Sequence, residues 1–163
     1  MAEKSIDKLK VVVIEDEAYN SRMLCDLIVK LRPDWQIEAV LETVQESIEW
    51  LETNKSPELI LMDIPLSDGI CFSIFEKIER QITSRIIFTT AYDEYAIRAF
   101  KVNSIDYLLK PINEQELEAA FQKFEKLRAE NMPMDYALSD DRDYYKNVIK
   151  SVLEGKKEYR TCF

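Results

Sequence analysis

The sequence predicts an α/β fold: a doubly wound, five-stranded parallel sheet with strand order 2-1-3-4-5. Short apolar runs bounded by turn residues are typical of buried parallel strands, and residues 59–62 (Leu-Ile-Leu-Met) are the clearest case. Stretches with apolar residues at helical spacing follow these runs. The predicted apolar faces include Met23, Leu24, Leu27, Ile28 and Leu31 in the first helix and Leu117, Ala120, Phe121, Phe124 and Leu127 in the last. Because strand and helix patterns alternate along the chain, the sequence favours a parallel sheet with helices on both faces and right-handed crossovers.

The individual elements can be placed from the same patterns. The second strand alternates apolar and polar residues, which indicates the edge of the sheet. Asn113, with Glu116 three residues later, predicts the N-terminal cap of the last helix. The strands are predicted over residues 10–14, 35–41, 59–63, 85–90 and 105–109, and the helices are predicted to end near Leu31, Asn54, Gln81, Lys101 and Asn131.

The character of the sequence changes after the last of these helices. We expect residues 1–131 to form one domain and residues 132–157 a partly helical linker, because Pro133 breaks the helical pattern. Residues 158–163 are strand-like and predict a stub of a further, C-terminal output domain.

Composition excludes several classes of function. The 163 residues carry a formal net charge of −9, so the chain by itself is a poor candidate for binding nucleic acid. The chain has no histidine, which removes Ser-His and Cys-His catalysis and histidine metal sites, and its two glycines are too few for a phosphate-binding glycine loop. Three cysteines without CxxC spacing and the lack of a bilayer-length apolar run lead us to expect a cytoplasmic protein with no membrane contact.

Polar groups follow the predicted strands where their apolar bodies end. Glu15 and Asp16 follow the first strand, Asp63 ends the third, Thr90 the fourth, and Lys110 follows the fifth. In a 2-1-3-4-5 sheet these four strands are neighbours, so their carboxyl ends would meet in one crevice. Two carboxylates about 4 Å apart repel by roughly 4 kcal/mol at an effective dielectric constant of about 20. The cluster therefore predicts a bound cation, and Mg²⁺ prefers such oxygen ligands.

A pocket of this composition suits phosphoryl transfer. The carboxylate of Asp63 is the natural nucleophile, since an aspartate can form an acyl phosphate. Each residue also has a plainer interpretation. Glu15 and Asp16 could favour the start of a helix, Thr90 could cap one, and Lys110 could be a surface lysine. Asp68 is interpreted as a turn residue only.

The sequence resembles a response-regulator receiver domain over roughly residues 8–128. A narrower resemblance, to receivers of the LytTR (LytR/AlgR) class, lies in residues 89–100, and residues 156–163 resemble the opening strand of a LytTR DNA-binding domain. The matching motifs of the receiver domain are Val13-Ile14-Glu15-Asp16-Glu17, Leu61-Met62-Asp63, Thr90-Ala91 and Asp106-Tyr107-Leu108-Leu109-Lys110-Pro111.

This resemblance implies a flavodoxin-like receiver fold and a signalling role rather than an enzyme. It implies that Asp63 accepts a phosphoryl group from a sensor histidine kinase. Further implied roles are Mg²⁺ binding by Glu15, Asp16, Asp63 and the backbone carbonyl of Pro65, phosphoryl contacts from Thr90 and Lys110, an aromatic switch at Tyr107, and a cis peptide bond between Lys110 and Pro111.

The implied partners are the kinase and a second copy of the chain, which would dimerise on phosphorylation. DNA would be bound through the missing output domain, for transcription regulation. Pro65 departs from the family, which more often has a polar residue there, and this leaves the dephosphorylation rate open. The alternatives are a Mg²⁺-dependent phosphatase with an aspartyl nucleophile, which lacks its second acid at Pro65, and an interaction module independent of phosphorylation.

Overall fold

The computed structural model describes residues 8–80, 82–92 and 104–130. Predictions that lie outside these residues are the helix expected near residues 93–101, the linker 132–157 and the stub 158–163. Within them the chain forms strands β1 (Lys10–Ile14), β2 (Gln36–Leu41), β3 (Leu59–Asp63), β4 (Pro65–Leu66), β5 (Gly69–Ile70), β6 (Arg85–Thr90) and β7 (Ser104–Leu109), and helices α1 (Ala18–Leu31), α2 (Val44–Thr53), α3 (Phe72–Lys77) and α4 (Glu114–Ala129).

The five long strands form one parallel sheet in the order β2-β1-β3-β6-β7, which confirms the predicted order 2-1-3-4-5. Strand β3 is buried at every residue, as its uninterrupted apolar run predicts. Strand β2 alternates between exposed and less exposed residues, which agrees with its place at the sheet edge. The short strands β4 and β5 form a separate antiparallel ribbon that the sequence did not predict.

Helix α1 ends at the predicted residue but presents a narrower buried face than expected. Leu24 and Ile28 are buried, whereas Met23 is 47% exposed. Met23 was therefore wrongly assigned to the apolar face. It lies about 100° around the helix from Leu24, which is enough to turn its side chain away from the buried side.

Helix α3 is shorter than predicted, because the chain leaves helical geometry at Ile78. The residues that follow are held against the end of α2. The Glu79 N–H donates to the Glu52 carboxylate at 3.0 Å, and the Arg80 guanidinium donates to the Asn54 carbonyl at 2.6 Å. Tertiary hydrogen bonds thus take the place of the last predicted helical turn.

Helix α4 matches its prediction closely. The Asn113 side chain accepts the N–H groups of Gln115 and Glu116, at 2.8 and 3.2 Å, and so caps the helix. The predicted apolar positions are all buried, namely Leu117, Ala120, Phe121, Phe124 and Leu127.

By its internal contacts the chain divides into two compact units, residues 1–86 and 87–163. The first contains β1 to α3, and the second contains most of β6 with β7 and α4. In the part of the chain that the structure describes, no helix combines the length and the apolar character needed to cross a membrane.

Candidate functional site: an acid cluster at the ends of β1 and β3

Strands β1 and β3 pair in parallel, with Ile14 opposite Met62. The residues that follow this pair are Glu15 on one side and Asp63 on the other, so both carboxylates leave the sheet at the same end. Glu15 is 2% exposed and Asp63 is 5% exposed. Parallel pairing therefore brings together two acidic residues that are 48 positions apart in the sequence.

Asp16 completes a group of three, which we call the acid cluster (Glu15, Asp16, Asp63). Each residue offers a carboxylate oxygen, and these oxygens all lie within 4.8 Å of one another. At that distance each pair of charges repels by roughly 3 kcal/mol with an effective dielectric constant of about 20. Three hard oxygen donors in one place fit a divalent cation such as Mg²⁺, which would offset this repulsion.

Glu15 has a second contact that bears on its plainer interpretation. One oxygen of its carboxylate accepts the N–H of Glu17 at 3.1 Å, at the residue that caps α1. A negative charge there also interacts favourably with the start of the helix. The two interpretations of Glu15 are thus compatible, since its carboxylate is both part of the acid cluster and bonded to the entrance of α1.

The chain turns sharply after Asp63. Pro65–Leu66 pairs with Gly69–Ile70 in the antiparallel ribbon, and the Cys71 N–H donates to the Ile64 carbonyl at 2.8 Å behind it. Gly69 has φ of +149°, a backbone conformation that residues with a side chain rarely adopt. Pro65 is half-buried in the first strand of this ribbon.

Asp68, at the tip of the ribbon, was wrongly reduced to a turn residue. Its two carboxylate oxygens accept the N–H groups of Val44 at 2.7 Å and of Gln45 at 3.0 Å, at the start of α2. Desolvation acts to raise the pKa of Asp68, but these hydrogen bonds, one from its own N–H and the charge of Lys77 outweigh it and lower the pKa. No local sequence signal shows this contact, because the partners are more than twenty residues apart.

The second unit contains the other predicted residues. The Lys110 N–H donates to the Thr90 carbonyl at 2.7 Å, which joins the ends of β6 and β7. The Tyr92 N–H donates to the Thr90 hydroxyl at 3.2 Å, and the Tyr107 hydroxyl donates to the Tyr92 carbonyl. We call Thr90, Tyr92, Tyr107 and Lys110 the β6–β7 chain. Thr90 is fully buried, and the Lys110–Pro111 bond is cis, as the resemblance implied.

The sheet order and the position of the acid cluster define a class of protein. Open α/β sheets bind their ligands outside the carboxyl ends of the strands, next to the place where the strand order reverses. In this sheet β1 lies between β2 and β3, and two members of the acid cluster follow it directly. The molecule is thus a flavodoxin-like α/β domain with an acidic ligand site at its strand ends.

The family follows from comparison with known proteins. The family model described as "Response regulator receiver domain" matches residues 11–122. The chain belongs to this family, whose members are signalling rather than catalytic proteins, and an acidic triad of this kind is typical of the receiver magnesium site.

Curated relatives narrow the assignment to LytT/LytR-like regulators. The sensory transduction protein LytT of Bacillus anthracis is 33% identical over 77% of this chain and 51% of its own length. The transcriptional regulatory protein LytR of Staphylococcus aureus (strain MW2) is 31% identical over 82% of this chain and 54% of its own length. The chain spans about half the length of these relatives.

Solved structures agree on the fold. The response regulatory domain of protein mrkE from Klebsiella pneumoniae superimposes with a TM-score of 0.65 at 27% identity, covering 72% of this chain and 95% of that one. A two-component response regulator from Clostridium difficile gives a TM-score of 0.62 at 26% identity, covering 73% of this chain and 97% of that one.

Proposed function

We propose that Asp63 accepts a phosphoryl group from a sensor histidine kinase and that this switches the protein between two states. The observation that carries the proposal is the acid cluster, which lies at the ends of paired strands β1 and β3 in a receiver domain and has Glu15 and Asp63 buried. A carboxylate at this position is ionised when paired with a cation and can attack phosphorus.

The proposed transfer conserves atoms and charge. A carboxylate oxygen of Asp63 forms a bond to phosphorus while the P–N bond of the kinase phosphohistidine breaks. The electron pair of that bond stays on the imidazole nitrogen, which then takes up a proton. The product is an acyl phosphate, whose hydrolysis is still favourable in free energy.

The residues proposed to hold Mg²⁺ are Glu15, Asp16, Asp63 and the backbone carbonyl of Pro65. Three carboxylates fit the ion by charge and donor type, and proline keeps the carbonyl that the fourth contact needs. A bound Mg²⁺ would neutralise charge on the transferring phosphoryl oxygens. The chain itself supplies the nucleophile and fixes its direction through the buried end of β3.

The β6–β7 chain is proposed to respond to the phosphoryl group. Thr90 would donate its hydroxyl to a phosphoryl oxygen, and Lys110 would pair with another. Because Tyr92 is bonded to both Thr90 and Tyr107, movement of Thr90 would reach the Tyr107 ring. We propose that the new state forms a homodimer and controls DNA binding by a LytTR domain. A role in transcription is supported by one relative, whose name is transcriptional regulatory protein LytR.

The test is labelling with a small phosphodonor. The protein is incubated with acetyl phosphate and MgCl₂, and its intact mass is measured. We expect a gain of one phosphoryl group, lost when EDTA replaces MgCl₂ and lost in Asp63→Asn. The matched control is Asp34→Asn, the same substitution at an exposed aspartate in the turn before β2, which should be labelled like the wild type.

A turnover assay and the labelling experiment together separate the alternatives. A phosphatase would turn over p-nitrophenyl phosphate continuously, and Pro65 provides no acid at the position where such enzymes carry their second aspartate. An interaction module independent of phosphorylation would stay unlabelled beside a labelled control receiver. Either result would overturn the proposed function.

A further inference from the structure

The start of α2 has an acceptor for each of its first four N–H groups. The Thr43 hydroxyl accepts the N–H of Glu46 at 2.9 Å, and the Thr43 carbonyl accepts that of Ser47 at 3.0 Å. The two earlier N–H groups, those of Val44 and Gln45, go to Asp68. The helix is therefore capped from two sources, one next to it in sequence and one on the ribbon that follows Asp63.

Helix α2 is a firm anchor for the ribbon. Val44 and Leu51 are buried on its inner face, and the Ser47 hydroxyl bonds to the Thr43 carbonyl at 2.7 Å. Gly69 lies against the same end of the helix, since a Cβ built on it would be 3.8 Å from the side chain of Val44. Asp68 thus attaches the tip of the ribbon to a helix end that packing already holds in place.

The other end of the ribbon leads directly into the acid cluster. Its first strand starts at Pro65, two residues after Asp63, and Pro65 pairs with Ile70. The tip that joins the two short strands consists of Ser67 and Asp68. A two-residue tip is short, so a constraint at Asp68 is passed to Pro65 through a single intervening residue pair, Leu66 with Gly69.

We propose that Asp68 is a positioning residue for the metal site: by holding the ribbon on α2, it fixes the direction of the Pro65 carbonyl beside the acid cluster. The inference rests on the proposed function, because it assumes that Mg²⁺ binds there. The proline side chain has no polar atom that could hold the backbone in place by a hydrogen bond. The direction of the Pro65 carbonyl therefore depends on the ribbon. Asp68 makes no contact with the ion and acts through Pro65.

The experiment compares two caps of the same helix. Asp68→Ala removes the contact between ribbon and helix, whereas Thr43→Ala removes a cap hydroxyl that has no bond to the ribbon. Both variants should lower the melting temperature. Calorimetric titration with MgCl₂ should show affinity reduced about tenfold in Asp68→Ala, the size typical for residues that orient metal ligands, and unchanged in Thr43→Ala. Asp68→Asn, which keeps one acceptor oxygen, should fall between.

A second measurement reports on the ribbon without any metal. Amide hydrogen exchange should speed up at Cys71, whose N–H bonds to Ile64 behind the ribbon, in Asp68→Ala and not in Thr43→Ala. Equal Mg²⁺ affinity in wild type and Asp68→Ala, or an equal loss in both alanine variants, would overturn the positioning role while leaving the proposed function intact. A wild type that binds no Mg²⁺ and takes no phosphoryl group would overturn both.

Discussion

The acid cluster and the β6–β7 chain are built from different kinds of contact. In the acid cluster the contacts are made by side chains, with three carboxylates within 4.8 Å of one another. In the β6–β7 chain three hydrogen bonds involve the main chain on at least one side. Examples are the bond from the Lys110 N–H to the Thr90 carbonyl and that from the Tyr107 hydroxyl to the Tyr92 carbonyl.

This difference predicts different consequences of substitution. Carboxylates held close together repel one another, and a bound cation offsets that repulsion. Substitutions in the acid cluster should therefore change the affinity for the cation. Hydrogen bonds that join main-chain segments fix a conformation, so changes in the β6–β7 chain should act on stability and on which state is populated. A substitution in one region that has the effect expected of the other would contradict this difference.

The largest effect is expected for Asp16→Asn in the acid cluster. The substitution removes one negative charge while keeping the shape of the side chain. We expect Mg²⁺ affinity to fall at least tenfold, which corresponds to about 1.4 kcal/mol, because each carboxylate contributes charge to a divalent site. Calorimetric titration with MgCl₂ measures this directly.

The free energy of unfolding of Asp16→Asn without Mg²⁺ is the second measurement, beside the Mg²⁺ affinity. Without added Mg²⁺, we expect the variant to be at least as stable as the wild type in urea, since one of three repelling charges is gone. The exposed Asp34→Asn variant is the control for both measurements. A loss of stability with unchanged Mg²⁺ affinity would mean that Asp16 is structural.

An intermediate effect is expected for Tyr107→Phe in the β6–β7 chain. Removing the hydroxyl removes the bond to the Tyr92 carbonyl, which should cost about 1 kcal/mol of stability in urea unfolding. Mg²⁺ affinity should stay at the wild-type value. A tenfold change in that affinity would show that the two regions are not as different as the contacts indicate.

The same residues test whether the β6–β7 chain acts as one unit. Thr90→Val removes the hydroxyl that accepts the Tyr92 N–H and keeps the shape of the side chain. Because Thr90 and Tyr107 both bond to the main chain of Tyr92, their effects should be non-additive by at least about 0.5 kcal/mol. A double-mutant cycle of unfolding free energies measures this, and simple additivity would contradict it.

The smallest effects concern pH, and here the two units should differ in sign. The pKa of Asp68 is lowered below the ordinary value of 3.8, so its stabilising contribution is present above that value and is lost as pH falls through the folded-state pKa. The pKa of Asp106, on β7, is raised by desolvation, against the opposing charge of Lys123 and the Tyr107 N–H. Its carboxylate therefore reduces stability once pH rises through the folded-state pKa.

Asparagine variants at both positions measure this contrast. Relative to the wild type, Asp68→Asn should be less stable at neutral pH, with the difference shrinking as pH falls below about 4 toward the folded-state pKa, because only below that pKa is the carboxyl protonated in both the folded and the unfolded state. Asp106→Asn should match the wild type in acid and become relatively more stable as pH rises. Urea unfolding from pH 3 to pH 7 checks both slopes, and slopes of the same sign would contradict the stated pKa directions.

Local patterns in the sequence were enough for the long elements. Strand β3 and helix α4 agree with prediction because their apolar residues follow one period and are bounded by strong signals, such as the Asn113 cap. Helix α3 was predicted too long, since the residues after it bond to the end of α2, through the Glu79 N–H and the Arg80 side chain. Met23 was misassigned because one step around a helix separates the buried side from the exposed side.

The alternation of strand and helix patterns was enough to predict the sheet and its strand order, and short contiguous motifs at the strand ends were enough to predict the family and the residues of the acid cluster. That these carboxylates lie within 4.8 Å of one another was decided by the parallel register of β1 and β3. The hydrogen bonds of Asp68 became visible only in the tertiary structure, because its partners Val44 and Gln45 lie in a different segment of the sequence. A hydrogen bond between distant segments depends on where the folded backbone puts them, and the residue types alone do not encode that position.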